Sequence, residues 1–76
     1  MYNESYIKAF GKNLKKLREN KDLSQRGLAD IAKIKFSQIG RIERGEQNAS
    51  ISTLYALAKA LKVSPEKLLA FDFKEK

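Results

Sequence analysis

The chain has 76 residues, a net charge of +7 and neither cysteine nor histidine. That length makes one small domain spanning residues 1–76, with no disulfide framework and no thiolate metal site. The usual general base near neutral pH and the commonest metal ligand are both missing, and nine scattered carboxylates draw no acid–base pair, so no enzyme, cofactor, metal or small-molecule ligand is expected.

The charge is uneven. Residues 1–45 hold 11 Lys/Arg and 5 Asp/Glu, and residues 46–76 hold 5 and 4. A basic part beside a near-neutral part predicts one face for a polyanion and another for something else. No apolar run approaches the roughly 20 residues of a membrane span. The start, MYNESYIKAF, lacks the basic head and long apolar core of a signal peptide. A cytoplasmic location and no membrane partner are expected.

In chain order, Tyr6, Ile7, Phe10, Leu14 and Leu17 recur at helical spacing and predict a helix over about 4–20, capped by Asn3 or Ser5. Lys8, Lys12, Lys15 and Lys16 lie off that stripe. Gly11 weakens this helix by about 1 kcal/mol relative to Ala; a close neighbour is one reason for it. Ser24 sits where an N-cap belongs, with helix to Ala32 and with Leu28, Ile31 and Ala32 inward. Gln25 falls at the first helical position, where its amide and the free backbone N–H groups suit a phosphate. Lys33–Ile34–Lys35 is a turn. Lys33 takes the left-handed position that glycine prefers, and Ile34 plugs the space between two helices. A third helix covers about 36–44 with Ile39 and Ile42 inward and Gly45 as its stop. Ser50 caps a fourth helix to Leu61. Ser64–Pro65–Glu66 starts a short fifth helix ending near Phe71. Residues 72–76 read as a frayed tail, and no strand signal is present.

The run L-S-Q-x-x-L-A-x-x-A, a turn, I-x-R-I-E-R-G, a loop and S-I-S-T-L-x-A-L-A-K-A-L-K-V-S resembles the Xre/Cro family of phage-repressor-like helix-turn-helix proteins. The resemblance covers roughly 10–69. It implies an all-α, five-helix lambda-repressor-like domain whose helices 2 and 3 form the helix-turn-helix, here 23–45. It also implies a sequence-specific regulator of transcription that binds double-stranded DNA through the major groove. Several positions depart from the family pattern. Lys33 replaces the turn glycine, and Lys35 replaces the residue that caps the recognition helix. Gly27 and Gly40 replace longer polar residues, and Ala49 stands where proline is common.

By the same resemblance, Lys35, Phe36, Ser37, Gln38 and Arg41 are the base-reading positions, and Gln25, Arg44 and Asn48 contact phosphate. Arg41 has the donors for a bidentate bond to guanine, and Gln38 has the groups for adenine. Phe36 suits a thymine methyl; the alternative is a core aromatic filling the turn. Arg18 and Glu43 match a structural ion pair of the family, which removes Glu43 from the DNA contacts.

One short helix reads too few base pairs for specificity against a genome, and a homodimer on two half-sites solves this. Residues 51–73 are the expected dimerisation part, with Tyr55, Phe71 and Phe73 at the interface and Ile51 at its edge. Alternatively, Tyr55 and Phe71 complete the monomer's own core. A different function for the same fold is an antitoxin or other partner-binding module. Such a module would carry a disordered extension, for which the five residues after Phe71 leave little room. RNA binding would call for an aromatic stacking platform, and none is legible.

Overall fold

The computed structural model describes residues 3–74. Among these, five helices follow in order: α1 Glu4–Asn20, α2 Gln25–Ala32, α3 Phe36–Glu43, α4 Ile51–Leu61 and α5 Pro65–Leu69. No strand occurs among the described residues. Of the expected frayed tail, residues 75 and 76 lie outside the described residues. Phe71 and Phe73 are not free: their rings pack on Tyr6 of α1, with centroids 5.1 and 4.9 Å away.

The helix starts follow side-chain chemistry. Asn3 accepts the Tyr6 N–H at 2.9 Å, Ser24 accepts that of Gly27 at 2.9 Å, and Ser50 accepts that of Thr53 at 3.1 Å. Each such cap satisfies one of the free N–H groups of a first helical turn. The ends of α1, α2 and α4 share one device. Asp22, Lys33 and Lys62 adopt left-handed conformations, with φ of 57°, 59° and 58°. The next residue in each case is apolar: Leu23, Ile34 and Val63. Its N–H closes back onto the carbonyl of Arg18, Ala29 or Ala58 at 3.0–3.2 Å, and its side chain packs against the core. This is the Schellman closure, built here on residues that pay about 1 kcal/mol of strain relative to glycine.

Leu14, Leu28, Ile39, Ile42, Leu57, Leu61 and Leu68 are fully buried at the centre. The helix α1 packs on α3 and α5, α2 packs on α3 and α4, and α4 packs on α5. Ile31 departs from expectation: it is 55% exposed. The buried stripe of α2 runs through Leu28, Ala29 and the half-buried Ala32. At about 100° per residue, Ile31 lies roughly 110° from the centre of that stripe.

Gly11 sits where α1 meets the end of α3. A Cβ there would overlap the carbonyl oxygens of Ile42 and Glu43. The glycine therefore sets the distance between the first helix and the third. Two residues further along α1, Asn13 donates both to the Lys67 carbonyl at 3.1 Å and to the Leu68 carbonyl at 2.9 Å, tying α5 to α1.

Candidate nucleic-acid interface

The surface formed by α2, the 33–35 turn and the start of α3 is built by a few local choices. Lys33 turns the chain, and Ile34 sits half-buried behind it. Lys35 is extended, with φ −62° and ψ 137°, and its side chain makes no cap bond to α3. The N–H groups of Phe36 and Ser37 are thus left for an outside acceptor, while that of Gln38 turns back onto the Lys35 carbonyl at 3.0 Å. The helices α1 and α5 carry Glu4 and Glu66 in their first turns, as the helix dipole favours. The helices α2, α3 and α4 carry no acid there, and only at the starts of α2 and α3 does a cation, Arg26 or Lys35, stand in its place. A cation at the positive end of a helix costs a few tenths of a kcal/mol. Two neighbouring helix starts that break the same rule mark a face suited to an anion.

The side chains of α3 divide cleanly. Ile39 and Ile42 are fully buried and fix the helix to the core. Lys35, Phe36, Ser37 and Arg41 are exposed and Gln38 is half-buried, so the five candidate base-reading residues share the outward side. Phe36 is 44% exposed and does not fill the turn. Its ring lies under the guanidinium of Arg26, 4.5 Å from the carbon to the ring centroid. Nothing in the sequence pattern singled out Arg26.

Behind this face, Arg18 and Glu43 are both buried. Arg18 Nε donates to Glu43 Oε2 at 2.6 Å and Nη2 donates to Oε1 at 3.0 Å, while Nη1 donates to the Leu23 carbonyl at 2.7 Å. The bond to Glu43 holds the Arg18 guanidinium above its already high ordinary pKa, against the opposing effect of burial. Gln25 Nε2 also donates to Glu43 Oε1, at 2.9 Å. One carboxylate therefore joins α1, the start of α2 and α3. Gln25 has one N–H committed inside the protein and a second N–H left for a phosphate.

The other candidate phosphate contacts differ. Asn48 is exposed in the loop after α3. Arg44 is exposed but paired: its Nε and Nη2 donate to the Glu46 carboxylate at 2.9 and 3.1 Å. That bond keeps the Glu46 carboxyl below the ordinary carboxylate range. Glu46 thus occupies the donors that a phosphate would take.

The three candidate interface aromatics are not brought together. Tyr55 is 60% exposed on α4, whereas Phe71 and Phe73 pack on Tyr6 within the chain. Near Tyr55, Ile51 is 82% exposed, and Ile51, Leu54 and Leu69 line a shallow apolar groove with Tyr6, Ile7 and Phe10. Leu69, 43% exposed, brings α5 into this groove.

Comparison with known proteins agrees with this geometry. The helix-turn-helix family model matches residues 14–68. The chain is 46% identical over 57 residues to the control protein C.SmaI of Serratia marcescens, covering 75% of this chain and 68% of that protein. It is 41% identical over 64 residues to the HTH-type transcriptional regulator y4dJ of Sinorhizobium fredii, covering 82% and 80% of the two chains. The crystal structure of the restriction-modification controller protein C.AhdI from Aeromonas hydrophila superposes with a TM-score of 0.81 at 39% identity, covering 82% of this chain and 94% of that one. The fold, the exposed face of α3 and these likenesses together show that the chain belongs to the helix-turn-helix family of DNA-binding transcriptional regulators.

Proposed function

We propose that this regulator seats the first half of α3 in the major groove of its operator. In this reading Lys35, Ser37, Gln38 and Arg41 face base edges, Gln25 and Asn48 grip the flanking phosphates, and Arg44 joins them by exchanging the Glu46 carboxylate for a phosphate. The observation that carries it is the outward side of α3: exposed polar residues held on a buried Ile39–Ile42 seam, between two helix starts that bear cations in place of acids. Two copies reading half-sites about 34 Å apart supply the specificity that one short helix lacks. The exposed apolar residues Ile51, Tyr55 and Leu69 support an interface on α4 and α5. A DNA target also supports a cytoplasmic place of action.

The controller proteins among its relatives support a role in governing a restriction–modification system. The experiment is a gel-shift titration on duplexes selected from a randomised pool by the wild-type chain. Arg41→Ala is expected to cost about 1–3 kcal/mol and to relax preference at one base pair. Lys35→Ala distinguishes a base contact from a phosphate contact: the first changes preference, and the second weakens all sequences alike. Unchanged affinity and preference in Arg41→Ala would overturn the docking.

A further inference from the structure

Neither the motif nor the ion-pair network accounts for Arg26. It stands at the second position of α2, beside Gln25, and it is exposed. Asp30 lies one turn further along the same helix, where an arginine ordinarily finds a helical ion-pair partner. Among the described residues, however, Arg26 makes no ion pair. Its guanidinium lies instead over the ring of Phe36, the first residue of α3, at 4.5 Å. Among the described residues its side chain makes no hydrogen bond, so the cation–π contact leaves guanidinium N–H donors open to an outside acceptor. The ring itself is only half-covered and is not needed to fill the core. The contact therefore spans the two helices at the edge of the DNA-facing surface. It holds a long, otherwise mobile side chain in one place without using its hydrogen-bonding capacity, which lowers the ordering cost of forming a further bond.

We infer that Arg26 is a DNA-phosphate contact and that Phe36 acts as the platform that positions it. This rests on the docking proposed above and adds to it a contact at the groove edge next to the Gln25 phosphate. It also changes the work of Phe36: the ring supports a cation and does not itself read a base. Phe36→Leu then weakens binding through Arg26 and not through lost sequence preference.

The test is a double-mutant cycle, read by fluorescence anisotropy across a range of salt concentrations. The probes are a duplex selected by the wild-type chain and an unrelated duplex of equal length. Melting curves accompany each variant so that a folding defect is seen separately. Arg26→Ala is expected to weaken both duplexes about tenfold and to lower the slope of log K against log salt by about 1. Phe36→Leu is expected to do the same in part, and the double variant to be no weaker than Arg26→Ala alone. Additive losses, or a change of base preference in Phe36→Leu that persists when Arg26 is alanine, would overturn the platform role. Wild-type affinity in Arg26→Ala would overturn the contact itself. If those results came with a sharp loss in Arg41→Ala, the docking would stand without this addition. If the wild-type chain selected no duplex at all, the docking would fall first.

Discussion

Glu43 lies on α3, yet its carboxylate points inward and is held at two points by Arg18, at 2.6 and 3.0 Å. Removing its charge leaves a buried guanidinium without its counter-ion, which costs about 3 kcal/mol or more. In so small a domain that is a large share of the total stability. Glu43→Gln is expected to lower Tm by more than about 10 °C in calorimetry. A variant that melted like wild type but preferred different bases would place Glu43 at the DNA instead.

Two glycines of helical segments have opposite expected responses to alanine. At Gly11 the new methyl would meet the backbone carbonyls of Ile42 and Glu43, which cannot move without shifting α3. At Gly40 it would meet only the mobile tip of Arg44, 2.9 Å away, with Gln25 Oε1 at an ordinary 3.6 Å. Gly11→Ala is expected to destabilise by several kcal/mol and to weaken DNA binding through misplaced α3. Gly40→Ala is expected to gain about 0.5–1 kcal/mol from helix propensity. Chemical denaturation of the two variants gives both values. Equal behaviour would contradict the close approach of α1 and α3.

Arg44 and Glu46 form an exposed pair two residues apart. Glu46→Gln frees the guanidinium for phosphate and is expected to raise DNA affinity severalfold, most clearly at low salt. Because Arg44 lowers the Glu46 pKa, the pair is intact at neutral pH and is lost as pH falls through that lowered value. The affinity gap between variant and wild type is therefore expected to narrow in acid. A gap that stayed constant with pH, or no gap at all, would mean that Arg44 does not reach the DNA.

Tyr55 and Phe73 separate association from folding. Tyr55 is exposed on α4, and Phe73 packs edge-on against Tyr6. Tyr55→Ala, or Ile51→Glu beside it, is expected to shift sedimentation toward monomer with little change in monomer stability. Phe73→Ala is expected to lower Tm while leaving self-association intact. The reverse pattern would return the interface to the tail.

The five helices were legible because each carries its own punctuation. Ser24, Ser50 and Ser64 precede their helices, Pro65 opens the last one, and the apolar spacing of α1 and α4 is regular. The ion pair of Arg18 and Glu43 was legible through the family pattern around them. The left-handed turns at Asp22 and Lys62 were not, because neither is glycine; only the apolar residue after each hints at the closure. A spacing of three from Leu28 suits Ile31 to the inward face, but the buried face of α2 is narrow and centred elsewhere. Three side-chain engagements were also missed: Gln25 with Glu43, Arg26 with Phe36, and Arg44 with Glu46. The first two join residues ten or more apart and depend on how the helices cross. The third lies in a loop whose backbone the pattern does not define.

The bond from Asn13 to the α5 carbonyls has a consequence for how the molecule opens. Five residues are too few to hold a helix alone. Residues 65–69 therefore stay helical only while Leu68 is buried and the Asn13 amide holds their end. This segment is the natural first unit of partial unfolding, while the 23–45 region stays closed. Hydrogen exchange at the 67–70 amides is expected to be faster than in α3, and faster again in Asn13→Ala. If two chains meet over α4 and α5, that exchange slows as protein concentration rises, so the α5 amides become the ones that report pairing.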